Sequence, residues 1–472
     1  MIREPVVAGR FYDADAKKLR QTVESYLKHV QPHKDKVFGL IVPHAGYVYS
    51  GRTAGEGFSH VASLDFEDVV FLGAGHTMHI EGGAVFSKGK FQTPLGDVAV
   101  HEDIARALVK KSKIFEDLPA AHEDEHSIEV QIPFLQVLKG NKFKIVPILF
   151  NTHDLKILTE AGKIIGETIK DRKVLICVSS DLSHYPPGSI AEKSDRSIML
   201  ALKISMRNKD LAYFNLANRI ILNKERSDMD TTCCGQAAVI VGAIASIEMG
   251  ANDFELIKYT HSGHVSGDDS NVVGYATGLF VESPKQPEGR IPLTEDMKKE
   301  LLHFARKSIE CFLKDKSSLK ISLSEKPEFN VPGAVFVTLT KNKNLRGCIG
   351  TMEPKTTVLD AVVHFAVSSA FEDPRFPAVN SSEISGIKIE ISILSPLKRV
   401  DSYKDIQEKK HGVYIKKGYL SGTYLPQVWE HFKTKEEFLS SLCHEKAGLS
   451  GDAWKDKSTE IYVYTVDAFE ED

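Results

Sequence analysis

Four short runs, residues 37–42 (VFGLIV), 69–72 (VVFL), 144–150 (KIVPILF) and 173–178 (KVLICV), are apolar almost throughout. They are too short for typical helices and too continuous for half-exposed strands, so they are predicted as strands buried on both faces. Amphipathic stretches at 15–30 and 104–111 predict helices between or before them. That order implies an α/β sheet of substantial parallel character, flanked by helices. Residues 237–247 form a strongly apolar segment, expected to be a buried helix.

The pattern breaks at 282–292 (ESPKQPEGRIP), where three prolines and a glycine, with almost nothing apolar, exclude a helix or a central strand. Beyond it, a helix is predicted over 294–313 with Thr294 as its N-cap. Residues 333–339, 387–393, 412–415 and 460–464 alternate as half-exposed strands of a largely antiparallel sheet. The chain is therefore expected to comprise an α/β domain at 1–283, a linker at 284–292 and an α+β domain at 293–472.

Composition narrows the function classes. Lys plus Arg total 60 and Asp plus Glu 64, a formal net charge of −4, so no basic excess drives binding to nucleic acid. The longest uncharged stretch, 231–247, carries Thr, Gln, Gly and Ser and is too short to span a bilayer comfortably. Charges at Arg3, Glu4 and Arg10 leave no apolar signal-peptide core. The expectation is a soluble cytoplasmic protein with no membrane partner, its six cysteines remaining thiols.

Thirteen of the 18 histidines precede residue 283, which directs metal or proton chemistry to the first domain. Three predicted strands run into such residues: IVPHAGY reaches His44, FLGAGHT reaches His76, and VSSDLSHY reaches Asp181 and His184. Carboxyl ends of parallel strands share one edge, where ligands bind. The alternative is that Asp181 caps a helix and the histidines satisfy local backbone groups. Cys233 and Cys234, beside Gly235, precede the apolar helix, whose N-terminus favours a thiolate. Two histidines and a thiolate suit Cu, Zn or Fe; the alternative is two small buried hydrophobes. Residues 122–126 (HEDEH) match the zinc-hydrolase pattern, with His122 and His126 on one helical face and Glu123 as base, or else form a solvated acidic helix start. In the second domain, Arg346 beside Cys348 either activates that thiol or pairs with Glu372 or Asp373.

The blocks REPVVAGRFY, VPHAGYVYSG, GAGHT, TPLGDV, EHSIEVQIPFLQ, SSDLSHY and TCCGQAAV resemble the Memo family over roughly residues 1–283. That resemblance implies a fold shared with class III extradiol dioxygenases, with His44, His76 and Cys234 as metal ligands. It also implies Asp181 and His184 as pocket residues, His184 falling at the acid–base position. It assigns EHSIE, with His126, to a family block rather than a protease helix. Thiolate in place of the dioxygenases' carboxylate shifts preference toward softer metals and changes redox behaviour; the resemblance implies redox chemistry, for which Fe or Cu is expected ahead of Zn. The motifs LRGCIG (345–350), SAFEDPRFPAV (369–379), EISILSPL (390–397) and GTYLPQVW (422–429) resemble the AMMECR family. The fused pair implies a radical S-adenosylmethionine protein as partner. The expected function is a metal-dependent, dioxygenase-like oxidoreductase acting on a small aromatic substrate. The alternative is a non-catalytic metal- or peptide-binding scaffold with a vestigial pocket.

Overall fold

The computed structural model describes residues 1–28, 32–284 and 289–472. It divides into two compact units, Met1–Glu288 and Gly289–Asp472. Residues 285–288 of the expected linker lie outside the described residues, as does the end, 29–30, of the helix expected over 15–30. That helix is described over Ala16–Tyr26, where the Asp15 side chain accepts the Lys18 N–H as N-cap.

In the first unit the four apolar runs become the strands Lys36–Val42, Asp68–Ala74, Lys144–Phe150 and Val174–Ser179, almost wholly buried. They lie side by side in one eight-stranded sheet, and all three pairings among them are parallel. Antiparallel pairing enters at both flanks. On one side the long strands Asp253–His261 and Gly274–Glu282 form an antiparallel pair against Lys36–Val42. On the other, Gly83–Val85 pairs antiparallel with Lys144–Phe150 and parallel with Phe115–Asp117. The sheet is therefore mixed, with a parallel centre whose carboxyl ends align: Val42 pairs with Ser179, and Ala74 with Phe150.

The predicted apolar helix forms over Gln236–Met249 and is buried for most of its length, packed on the sheet and on the helix Leu155–Ile169. This packing positions the residues just before the helix. Gly242 faces the sheet without room for a side chain: a Cβ there would lie 2.3 Å from Val178 Cγ2 and 3.2 Å from Leu72 Cδ1.

The second unit contains two four-stranded sheets in which every pairing is antiparallel. The helices Glu295–Asp315 and Val358–Phe371 pack on each other and on the first of these sheets. Thr294 caps the former, accepting the Met297 N–H. The motif LRGCIG is itself a strand, Asn344–Gly350, whose register shift opposite Leu339 and Thr340 leaves Arg346 unpaired in the ladder. No helix among the described residues is long and apolar enough to cross a membrane.

Filling the space at Gly242 tests the helix–sheet contact. Gly242→Val is expected to destabilise the first unit by about 1–3 kcal/mol through overpacking, read as a lowered denaturant midpoint.

Candidate metal centre

The site sits at the carboxyl edge of the parallel strands. His44 lies two residues beyond Lys36–Val42, His76 two beyond Asp68–Ala74, and Asp181 two beyond Val174–Ser179. Cys234 reaches the same place from the loop before Gln236–Met249. That loop approaches so closely that a Cβ on Gly235 would meet Ser179 O at 2.8 Å and Ser180 Cβ at 2.7 Å. One ligand atom each from His44, His76 and Cys234 lies within 4.8 Å of the others, and His44 Nε2 is 3.2 Å from Cys234 Sγ. A tetrahedral ion with nitrogen at about 2.0 Å and sulfur at about 2.3 Å separates those donors by about 3.5 Å.

Hydrogen bonds fix which ring nitrogens face inward. The single hydroxyl proton of Ser179 goes to Ser127 O, at 2.6 Å. Ser179 Oγ must therefore accept from its other partners, Gln131 Nε2 at 2.9 Å and His44 Nδ1 at 3.1 Å. His44 consequently carries its proton on Nδ1 and presents a bare Nε2 lone pair toward Cys234. His76 is held likewise, with Nδ1 3.1 Å from Glu125 Oε1. Metal-binding histidines are characteristically anchored in this way through the second ring nitrogen.

The electrostatics follow from burial. Desolvation, reinforced by the neighbouring His76 and His126, lowers the His44 pKa well below its ordinary value and keeps it neutral. Burial, then the Asp181 carboxylate, pushes the Cys234 thiol well up, so desolvation outweighs the thiolate stabilisation expected from the helix N-terminus. Burial also raises Asp181 to about 7, although its carboxylate accepts the His44 N–H at 2.7 Å. Burial opposes ionisation of Glu125, but its hydrogen bonds with His76 and with backbone N–H groups overcome it and hold the carboxyl at about 2. His76 gains in turn, its pKa raised by Glu125 against the effect of burial.

Several residues resolve differently from their sequence expectations. Cys234, not Cys233, faces the histidines; Cys233 is buried against Ser180, and its thiol is pushed up to about 12 by desolvation. The stretch HEDEH does not form one helix. Its helical turn, Ala120–Glu123, ends before His126. His122 Nε2 donates to Ala84 O at 3.0 Å, and its ring packs against Phe86 and Phe91. The zinc-hydrolase arrangement is thereby excluded, because His122 spends its nitrogen on a carbonyl in the core. His126 instead joins the site, with its ring centroid 5.0 Å from His76 and 5.4 Å from His44. His184 lies at the edge, its pKa lowered by burial and then by His76, and its Nε2 is buried with no hydrogen-bond partner among the described residues.

Comparison with known proteins follows the same division into two units. Residues 3–279, more than half of the chain, match the model of the Memo-like protein family. The chain belongs to the Memo family. Residues 302–469 match the AMMECR1 family, so a Memo domain is fused to an AMMECR1 domain. A MEMO1 family protein of Methanopyrus kandleri is 36% identical over 292 residues, covering 59% of this chain and 99% of the relative. One from Methanocaldococcus jannaschii is 37% identical over 295 residues, covering 59% and 98%. A crystal structure of an uncharacterized Pyrococcus horikoshii protein is 33% identical, with a TM-score of 0.35, covering 38% of this chain and 94% of that one.

Sequence reasoning missed Glu125, Ser179 and Gln131, which orient the histidines of this Memo domain. The available signal was the density of polar residues (Glu125, Ser127, Glu129, Gln131) inside the apolar block EHSIEVQIPFLQ, all of them buried. In the AMMECR1 domain, Arg346 pairs with Glu383 at 3.1 Å rather than with Glu372 or Asp373. The arginine beside Cys348 is Arg375, which donates to Cys348 O at 3.0 Å and pairs with Asp373 at 2.7 Å. The Cys348 N–H donates to Asp373, and Sγ receives the Thr338 hydroxyl at 3.3 Å.

The Glu383 pair carries a pH signature. Hydrogen bonds from Arg346 and then Lys341 depress the Glu383 carboxyl from 4.5 to about 2. A depressed carboxylate stabilises the fold above its unfolded pKa and loses that contribution as pH falls through its folded pKa. Thermal melts of the AMMECR1 domain are expected to lose stability between about pH 4.5 and pH 2, with the loss shallower in Glu383→Gln.

Proposed function

We propose that this chain is a metal-dependent oxidoreductase whose Memo domain holds iron or copper through His44, His76 and Cys234. The observation that carries this reading is the convergence of two Nε2-presenting imidazoles and one thiol, each imidazole anchored through Nδ1. His44 is buried, Cys234 half-buried and His76 exposed; the charged forms of His44 and Cys234 are disfavoured, and a cation would favour the thiolate outright. Iron or copper bound there would supply one-electron redox chemistry to a substrate.

The chain's own residues then divide the remaining work. Ser179 and Glu125 hold the two rings, and Asp181, through the His44 backbone N–H, fixes the loop bearing the first. His184 exchanges a proton with the substrate at its unpartnered Nε2. Val48, Tyr49, Met78 and Tyr185 are exposed on the segments that follow His44, His76 and His184. These apolar groups support a small aromatic substrate. Ligands at the carboxyl edge of a parallel sheet centre support an extradiol-dioxygenase-like fold. The fused AMMECR1 domain supports action alongside a radical S-adenosylmethionine protein. Six free cysteines support a reducing, cytoplasmic setting.

Elemental mass spectrometry on untagged protein purified without chelators tests the reading. Near-stoichiometric iron or copper is expected in wild type and lost in both His44→Ala and Cys234→Ala. Oxygen uptake with catechols is then the activity screen. Protein that neither carries metal nor takes it up under reducing conditions would contradict the oxidoreductase and leave the peptide-binding scaffold in its place.

A further inference from the structure

Arg3 lies about 40 residues before the first metal-site histidine in sequence, yet its side chain is only 1% exposed. The guanidinium ion-pairs with Glu129 and donates to three backbone carbonyls: Glu4 O at 2.9 Å, His122 O at 3.0 Å, and Glu125 O. Glu129 is equally buried and spends its oxygens on the same N-terminal segment. It accepts Val6 N–H at 2.9 Å, Val7 N–H at 3.1 Å and the Tyr12 hydroxyl at 2.6 Å.

The loop gripped in this way carries the partners of both metal-site histidines. Glu125 accepts from His76 through its ring and its backbone N–H. Ser127 O takes the Ser179 proton that fixes the His44 tautomer, while Gln131 donates to Ser179 Oγ and to Pro43 O. The N-terminal segment also touches the site directly. Phe11 O accepts the Tyr47 N–H at 2.8 Å, three residues past His44, and the Phe11 ring lies 5.0 Å from that of His126.

We infer that Arg3 is a positioning residue for the metal centre: residues 3–12 clamp the 122–131 loop, and the loop orients His44 and His76. This inference rests on the metal-binding reading above. It assigns a role at the metal centre to an N-terminal arm that supplies none of the three ligands, and it predicts that metal affinity depends on a guanidinium outside the ligand set. Loss of outer hydrogen bonds of this kind lowers metal affinity by roughly 10- to 100-fold.

The test uses Co(II) alone as the probe, titrated into the full chain and followed by its thiolate charge-transfer band. Arg3→Met by itself strands the Glu129 charge, so the decisive variant is Arg3→Met with Glu129→Gln, which removes both charges together. A folded double variant with Co(II) affinity about 10- to 100-fold below wild type is the expected result. A folded double variant with wild-type affinity would overturn the inference. If the double variant does not fold, Arg3→Lys decides in its place. It keeps a charge opposite Glu129 but lacks the fork that reaches both the His122 and Glu125 carbonyls, so weakened binding supports the role and wild-type binding overturns it. Failure of wild type itself to bind Co(II) would instead defeat the metal reading.

Discussion

Removing a guanidinium and a carboxylate from water costs several kcal/mol per ion unless nearly every donor and lone pair is satisfied. Arg3 and Glu129 meet that condition by drawing in the backbone of residues 4–7, the Tyr12 hydroxyl and the carbonyls of His122 and Glu125. Because an unsatisfied alternative is so costly, the path of both stretches of chain is strongly constrained. The loop carrying Glu125, Ser127 and Gln131 inherits that constraint and passes it to the two imidazoles. Other arrangements of this edge, including a continuous helix through 122–126, would break the pair's carbonyl contacts.

The loop thus orients both imidazoles, and burial acts in one direction on three groups around them. Burial disfavours the imidazolium of His44, the thiolate of Cys234 and the carboxylate of Asp181 alike. Glu125 differs because four N–H groups converge on it, so it remains charged and supports His76. The outcome is an anionic carboxylate behind one histidine and a hydroxyl behind the other. That asymmetry gives His76 the stronger electrostatic support and His44 the drier surroundings.

Much of this was legible from residue order. Runs such as 144–150 and 69–72 are apolar because both faces of the parallel centre are covered, and that signature is local. The convergence of His44, His76 and Cys234 was legible through strand-end placement and family blocks together. What escaped was non-local. The strand pair Asp253–His261 and Gly274–Glu282 adds antiparallel pairing at one flank of the sheet, but its polar, half-buried first member carries no such signature. The partner of Arg346 was misread because Glu383 lies 37 residues away and reaches it only after the intervening helix turns back. HEDEH misleads for a related reason. Its spacing fits a helix, whereas the carbonyls of His122 and Glu125 are claimed by Arg3.

The most direct test of the proposed metal centre is X-ray absorption at the iron or copper edge of protein loaded with that metal. Two nitrogen scatterers near about 2.0 Å and one sulfur near about 2.3 Å are expected, with the sulfur shell vanishing in Cys234→Ser. A first shell of nitrogen and oxygen alone in the wild-type protein would contradict the assignment of Cys234, and with it the thiolate on which the proposed redox chemistry depends.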